Sequence, residues 1–160
     1  MNKKLFLEKL STNFPFSFTK EQEKIINELS DYILSTSTRN IFLLKGYAGT
    51  GKTTLISALV KSLSSVNKKP SLLAPTGRAA KVLANYAKKS ASTIHRKIYW
   101  INTNKQGNTY IKLKENTHTN TIFIVDEASM IPKSSDKGFA NRSLLDLSLI
   151  HISEPTRPTP

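Results

Sequence analysis

The 160-residue sequence has no cysteine, few acidic side chains and no long apolar run. Without cysteine it forms no disulfide and no zinc site that needs thiolate ligands. Because no apolar run reaches about 18 residues, we expect no transmembrane helix. Basic residues open the sequence as in a signal peptide, but the apolar stretch after Lys4 ends at Glu8. We therefore expect no secretion and a cytoplasmic location.

The shortage of acidic residues leaves a strong positive charge. There are 24 Lys and Arg residues against 11 Asp and Glu residues, for a net charge of +13. Much of the excess lies between Lys61 and Lys114. Such a balance favours a polyanionic partner such as nucleic acid. A merely solvated basic surface, in a lysine-rich composition, explains the same excess, so the charge alone leaves both interpretations open.

The most informative motif is GYAGTGKT, which fits the phosphate-binding pattern G-x-x-x-x-G-K-[ST]. An apolar run before it predicts a buried strand at 41–45, and the residues after it predict an amphipathic helix at 53–64. Backbone N–H groups of such a loop form an anion-binding nest at the helix N-terminus. Lys52 would reach the β- and γ-phosphates, and the Thr53 hydroxyl would bind Mg²⁺. The predicted nucleotide-binding residues of this loop are Gly46, Tyr47, Ala48, Gly49, Thr50, Gly51, Lys52, Thr53 and Thr54.

A second chemical motif follows the apolar run 122–125. Asp126 and Glu127 stand where a buried strand ends, which is the Walker B arrangement. Asp126 would hold Mg²⁺, usually through water, and Glu127 would orient and deprotonate the attacking water. Lys52, Asp126 and Glu127 are therefore the predicted catalytic residues of an enzyme that hydrolyses ATP with Mg²⁺. The paired acids argue against a simple kinase or GTPase.

Strands alternate with helices along the sequence, which predicts an α/β fold. A capping box, Thr19 with Gln22, starts the second helix. The helix after the second strand has Ala79, Val82 and Leu83 with Tyr86 on its predicted inner face. The predicted elements are helix 2–11, connector 14–18, a helix from 19, strand 41–45, helix 53–64, strand 71–74, helix 78–88, helix 93–98, hairpin 100–120, strand 122–125 and a helix beginning at 143–146. Continuously apolar strands predict a parallel sheet covered on both faces.

Two further motifs lie in a fixed order with the two already described. They are APTGRAAKVL at 74–83 and STIHR at 92–96, and the Asp126–Glu127 pair continues as DEASM at 126–130. With these motifs the sequence resembles the superfamily 1 DNA helicases of the RecD/Dda type, over about residues 14–146. The resemblance implies a RecA-like P-loop domain. It also implies an ATP-driven motor that moves 5′→3′ on single-stranded DNA, with ATP and Mg²⁺ as cofactors.

The resemblance also implies roles for residues outside the phosphate loop. Gln22 matches the glutamine whose amide reads the adenine edge. It could instead only close its capping box, and it could serve both roles only if one side chain were shared. Thr76, Gly77 and Arg78 match a contact to the DNA strand, which suits a helix N-terminus with a hydroxyl and a cation. The alternative for Thr76 is a plain N-cap.

Two more positions match the DNA-strand contact, and a pair of aromatic residues follows them. Thr93 and His95 would contact or frame the DNA strand, although His95 is as readily a packed structural histidine. Tyr99 and Trp100 could stack on bases or anchor the hairpin to the core. In the family, the segment between these motifs and Walker B carries a small β insert that acts as a wedge at the fork, and residues 100–120 lie at the corresponding place.

The resemblance predicts how the chain is organised. We expect an N-terminal helix and connector at 1–18 and a RecA-like ATPase domain at 19–146, incomplete at its C-terminal end. The tail, 147–160, resembles translated sequencing-adaptor sequence and is predicted to be non-native; a real Pro-rich tail is the alternative. The family has a second RecA-like domain, which we expect this chain to lack. We therefore expect weak ATP binding, slow hydrolysis and no unwinding by this chain alone.

Two other functions remain open at the level of sequence. One is a P-loop ATPase of another kind that acts as an assembly switch, which would not be expected to carry APTGRAAKVL together with STIHR. The other is a fragment that binds nucleotide or single-stranded DNA without turnover. Stimulation of ATP hydrolysis by single-stranded DNA separates that fragment from the helicase motor.

Overall fold

The structure is a computed structural model that describes residues 2–35, 40–47, 49–103, 107 and 109–131. Ala48, the predicted helix at 143–146 and the tail at 147–160 lie outside the described residues. The helices are α1 Lys3–Asn13, α2 Lys20–Leu34, α3 Lys52–Ser62, α4 Gly77–Ala87 and α5 Ile94–Ile98. Short 3₁₀ turns cover Leu63–Val66 and Ala128–Met130. The strands are β1 Lys69–Ala74, β2 Ala91–Thr93, β3 Tyr99–Thr103, β4 Thr109–Leu113 and β5 Thr121–Val125.

A parallel sheet of three strands, in the order β2-β1-β5, forms the centre of the fold. Leu72 pairs with Ala91 on one side and with Ile124 on the other. Because side chains alternate along a strand, β5 contributes to two cores. Ile122 and Ile124 pack towards α3, whereas Phe123 and Val125 pack against Ile94 and Ile98. Both faces of the sheet are covered, so the predicted α/β class with a parallel sheet is confirmed.

The first helix packs into the same core as the next two. Phe6 and Leu10 of α1 are completely buried, and they join Ile33 of α2 and Leu59 of α3 in one cluster. α2 starts with the predicted capping box, in which the Thr19 hydroxyl accepts from the Gln22 backbone N–H and the Gln22 side chain accepts from the Thr19 backbone N–H. None of the described helices combines the length and apolar character needed to cross a bilayer.

The segment before the phosphate loop is not the strand predicted at 41–45. It pairs with none of the strands in the described part of the chain. Phe42 and Leu44 pack against the core, but Ile41 is 61% exposed and Leu43 is 65% exposed. A buried strand hides both of its faces and satisfies its backbone groups on a ladder. In segment 41–45 only the face with Phe42 and Leu44 is covered. An apolar run was therefore not sufficient to make this segment a β-strand.

α4 buries a different face from the predicted one. The buried residues are Ala80, Leu83 and Ala87, whereas Val82 is 48% exposed and Tyr86 is 61% exposed. Small alanines allow the helix to lie close to the sheet, and positions 80, 83 and 87 form one stripe at helical spacing. The prediction was correct for Leu83 and wrong for Val82 and Tyr86, because it gave more weight to large side chains than to alanine.

The polar region after α5 contains the predicted hairpin. β3 and β4 pair antiparallel, with Ile101 opposite Ile111 and Trp100 opposite Lys112. β2, by contrast, was not predicted; its three residues, Ala91–Thr93, are too few to show a periodicity. β2 is an edge strand that pairs with β1. Because α5 follows β2 directly, this pairing fixes where α5 begins.

Candidate nucleotide and strand-binding site

The lysine of the phosphate loop, Lys52, is hydrogen-bonded to the backbone of the same loop. The Lys52 ammonium donates to the carbonyl oxygens of Gly46, at 2.7 Å, and Tyr47, at 2.6 Å. The Thr50 hydroxyl also donates to the Tyr47 carbonyl, at 2.9 Å. The cation is thus held at the loop by neutral acceptors. A phosphate group would be a stronger partner for it, because hydrogen bonds between ionised groups are stronger than those to neutral carbonyls.

Glycine is required by the backbone at the end of this loop. Gly51 caps α3 with φ 83°, a left-handed conformation that disfavours other residues. A Cβ built at Gly51 would lie 3.3 Å from Gln22 Nε2, and one built at Gly46 would lie 2.8 Å from Thr50 Oγ1. The loop is therefore a cradle that side chains would fill. It fits the triphosphate of ATP, for which it would supply backbone N–H groups and the Lys52 ammonium.

Gln22 joins helix α2 to the phosphate loop. Its Oε1 accepts from the Thr19 backbone N–H at 3.0 Å, and its Nε2 donates to the Thr50 carbonyl at 3.4 Å. One amide thus closes the capping box and contacts the loop. Both ends of the side chain already have partners within the chain. For Gln22 to read an adenine edge, the long contact to Thr50 would have to be exchanged for the base.

A cavity of about 710 Å³ lies between the start of α2 and the phosphate loop. This volume is within the range of small-molecule sites. Three phenylalanines line it next to Gln22, and the rings of Phe14 and Phe18 are 4.4 Å apart between centroids. The sequence predicts only an extended connector at 14–18 for these aromatics. Their closeness to Gln22 in the sequence was the signal that could have assigned them to a nucleotide pocket. The lining also includes Gly46, Tyr47, Gly49, Thr50, Gly51, Lys52 and Thr54.

The two acidic residues stand at the carboxyl edge of the sheet. The Asp126 backbone N–H donates to the Leu73 carbonyl at 3.0 Å, which extends the β1–β5 ladder by one residue. Asp126 Oδ1 accepts from the Glu127 backbone N–H at 3.0 Å. Glu127 has φ 54°, a left-handed conformation that is uncommon for this residue type. This local strain marks a position where the backbone turns sharply to present the two carboxylates.

Not all of the predicted site residues line the cavity beside Gln22. Asp126 and Glu127 are absent from the lining of the cavity, and so is Thr53. Within the described residues, no group of three or more His, Asp and Glu side chains could hold a metal. Mg²⁺ usually binds through one or two protein oxygens plus phosphate and water, so Thr53 and Asp126 have the right chemistry for it. The structure places them on two different elements, α3 and the end of β5.

The residues predicted to contact the DNA strand lie at the same edge of the β-sheet as the two acids. Ala74 pairs with Thr93, so β1 and β2 end side by side. Thr76 caps α4 by accepting from the Ala79 N–H at 3.2 Å, and Thr93 caps α5 by accepting from the Arg96 N–H at 3.1 Å. Both hydroxyls therefore have a structural role, which leaves their hydrogens free to donate to a ligand.

The remaining predicted contacts are open to solvent. Arg78 and His95 are exposed, and the His95 ring lies 6.1 Å from the Tyr99 ring between centroids. This ring contact fits the packed structural role, while the exposure of His95 leaves its ring accessible to a ligand. A Cβ built at Gly77 would meet nothing within 4 Å. The surface beside the α4 N-terminus therefore has room for a ligand to approach the backbone.

This α/β fold, with a glycine-rich phosphate loop and a strand-end Asp-Glu pair, defines a nucleotide-binding P-loop domain of the RecA-like, helicase type. A family model described as AAA domain matches residues 17–142. The chain belongs to this AAA domain family.

Two curated relatives extend the comparison. The chain is 30% identical over 113 residues to the ATP-dependent RecD2 DNA helicase of Deinococcus radiodurans, a match that covers 71% of this chain and 14% of the helicase. It is 27% identical over 166 aligned residues to an uncharacterized protein of Acanthamoeba polyphaga mimivirus, covering 89% of this chain and 33% of that protein. The chain therefore spans a third or less of the length of these relatives.

Proposed function

We propose that this chain is the ATP-binding and ATP-hydrolysing core of a DNA helicase that moves along single-stranded DNA in the 5′→3′ direction. One observation carries the proposal: the predicted strand contacts and the acidic pair lie together at one edge of a sheet whose neighbouring helix begins with the phosphate loop. The similarity to a helicase of Deinococcus radiodurans supports the same function.

Each site residue has a defined role in this proposal. Lys52 and the loop N–H groups bind the phosphates, and Thr53 and Asp126 hold Mg²⁺, which neutralises the charge that builds up on the phosphates. Glu127 orients the attacking water and accepts its proton. Gln22 and the phenylalanines of the cavity hold the base. Thr76, Gly77, Arg78, Thr93 and His95 bind the DNA strand through phosphate contacts, which position a strand without reading its sequence.

A second function has one specific observation in its favour. Asp126 and Glu127 do not line the cavity that contains Lys52. A cavity without these acids in its lining can bind nucleotide without turning it over, because hydrolysis needs the metal-holding acid and the water-orienting acid beside the phosphates. A binding module for nucleotide or single-stranded DNA is therefore the alternative.

Steady-state ATP turnover with and without an oligothymidylate tests the proposal. We expect the oligonucleotide to raise turnover, and Lys52→Ala to abolish the stimulated rate. Lys61→Ala is the matched control, since Lys61 is an exposed lysine on the same helix, outside the cavity. Turnover that depends on Lys52 but ignores the oligonucleotide would reject the helicase motor. Nucleotide binding without turnover would support the binding module.

A further inference from the structure

A second cavity lies at the base of the β3–β4 hairpin, away from the phosphate loop. Its volume is about 130 Å³, and we call it the hairpin-base pocket. Three basic side chains line it, from the end of α5, from the residue after β4 and from the loop before β5. The complete lining is Lys97, Lys114, Glu115, Asn116, His118 and Phe123.

The pocket is on the opposite face of the sheet from the nucleotide cavity. Phe123, which lines it, packs with Ile98 and Tyr99, whereas the flanking Ile122 and Ile124 pack towards α3. Because successive residues of β5 point to opposite faces, the sheet separates the two cavities. A ligand in the hairpin-base pocket would thus not be the nucleotide bound by the phosphate loop.

The side chains of the pocket are held in place by the fold. The Lys114 backbone N–H donates to the Ile98 carbonyl at 2.8 Å, and its ammonium lies 4.3 Å from the centroid of the Trp100 ring. The His118 ring meets Phe123 edge to face, with centroids 5.5 Å apart. The Lys97 ammonium is 5.8 Å from the centroid of the same Phe123 ring. Two of the three basic side chains, Lys97 and His118, therefore lie around the same Phe123 ring.

The lysines outnumber the carboxylates in the lining of the pocket. Glu115 is the one acid in the lining, and the ion pair found among the described residues joins Lys3 to Asp31, on α1 and α2. Desolvation and the nearby Lys114 ammonium lower the pKa of Lys97. Desolvation and the Lys97 ammonium likewise lower the pKa of His118. Desolvation is the larger cause of both pKa shifts and the neighbouring cation the smaller one, and a bound anion would favour the charged form of both side chains.

We propose that the hairpin-base pocket binds a backbone phosphate of single-stranded DNA between Lys97, Lys114 and His118. This inference rests on the proposed function, to which it adds a strand contact beyond the residues that the helicase motifs identify. A nucleic-acid phosphate fits better than a carboxylate of an acidic peptide because of Trp100. Its indole is 56% exposed and contacts Lys114, so a base could stack beside the bound phosphate.

The salt dependence of oligothymidylate binding tests the pocket. Each phosphate contact to single-stranded nucleic acid contributes about 0.7 to the slope of log affinity against log salt concentration. We expect Lys97→Gln to weaken binding and to reduce this slope by about that amount. Lys97→Arg keeps the charge and should retain the slope. Lys61→Gln removes the same charge from α3, on the other face of the sheet, and should leave the slope unchanged. Equal slopes for Lys97→Gln and wild type would overturn the proposal.

Titration of the His118 ring by NMR gives a second readout on the unmodified chain. We expect oligothymidylate to raise the pKa of His118, because a bound phosphate favours the imidazolium. A response to inorganic phosphate with none to the oligonucleotide would assign the pocket to a free anion and overturn the strand assignment. If the oligonucleotide binds and the pKa of His118 does not change, the proposed phosphate site in the hairpin-base pocket is rejected, while the proposed function is not. A wild-type chain that binds no oligonucleotide would instead reject the proposed function.

Discussion

The phosphate loop and the carboxyl edge of the sheet are positioned in different ways. At the edge, Thr76, Thr93 and Asp126 follow strands whose register is fixed by parallel pairing. The loop follows a segment that pairs with no described strand, and individual side chains hold it: Gln22 contacts Thr50, and Lys52 contacts Gly46. A backbone ladder tolerates most side-chain changes, whereas the loop depends on a few specific residues. Substitutions in the two regions should therefore have different consequences.

The largest expected effect is at the loop. Lys52→Ala removes the cation that binds the phosphates and that now holds the Gly46 and Tyr47 carbonyls. We expect ATP turnover to fall by about 10²–10³-fold, as for the loss of other preorganised charge stabilisers. Steady-state turnover against the Lys61→Ala control measures it. If Lys52→Ala turned over ATP at nearly the wild-type rate, a cation other than Lys52 would have to bind the phosphates.

Two glycine substitutions compare the regions directly. Gly51→Ala places a Cβ in a left-handed conformation and 3.3 Å from Gln22 Nε2, so we expect the free energy of unfolding to fall by about 1–2 kcal/mol. Gly77→Ala meets nothing within 4 Å, and alanine favours a helix. It should leave the free energy of unfolding unchanged or raise it, while weakening oligothymidylate binding. Urea denaturation of both variants is the measurement. Equal destabilisation would remove the contrast between loop and edge.

Thr76 allows its capping role to be separated from strand binding. Thr76→Ala loses the cap of α4 and should lower the free energy of unfolding by about 1 kcal/mol. Thr76→Asp keeps a capping oxygen and adds a negative charge at the helix N-terminus, which is favourable there. It should keep the stability of wild type but bind oligothymidylate several-fold more weakly. If Thr76→Asp binds the oligonucleotide as wild type does, Thr76 is only a cap.

The smallest expected effect is the pH dependence that His118 contributes. The pKa of His118 is lowered from 6.5 in the folded chain, first by desolvation and then by Lys97. The folded state therefore disfavours the imidazolium, so this contribution to stability is complete above pH 6.5 and is lost as the pH falls below it. His118→Gln should remove it, with Lys97, Lys114 and Glu115 still in place. Thermal unfolding of wild type and of His118→Gln, measured above and below pH 6.5, tests this expectation. Identical dependence of stability on pH in the two proteins would contradict it.

Much of the fold and the loop motif could be predicted from the sequence, because they depend on local signals. Periodicity predicted α2, α3 and the hairpin, and Thr19 with Gln22 predicted a cap that the structure contains. The failures depend on partners distant in sequence. Whether 41–45 pairs as a strand depends on its neighbours in the sheet, and the inner face of α4 depends on how closely alanines approach β1. The contact of the Gln22 side chain with the Thr50 carbonyl likewise depends on how α2 and the phosphate loop pack together, which the sequence does not show.

The central claim is that the nucleotide site and the strand-binding edge act together. The most direct test is the affinity of Glu127→Gln for a fluorescent oligothymidylate, measured with and without Mg²⁺ and ATP. Glu127→Gln should bind ATP and not hydrolyse it, so the nucleotide stays in place during the titration. We expect ATP to change the oligonucleotide affinity by about 5-fold or more, the usual scale of coupling between sites. Equal affinities with and without bound ATP would contradict the claim that the two sites form one motor.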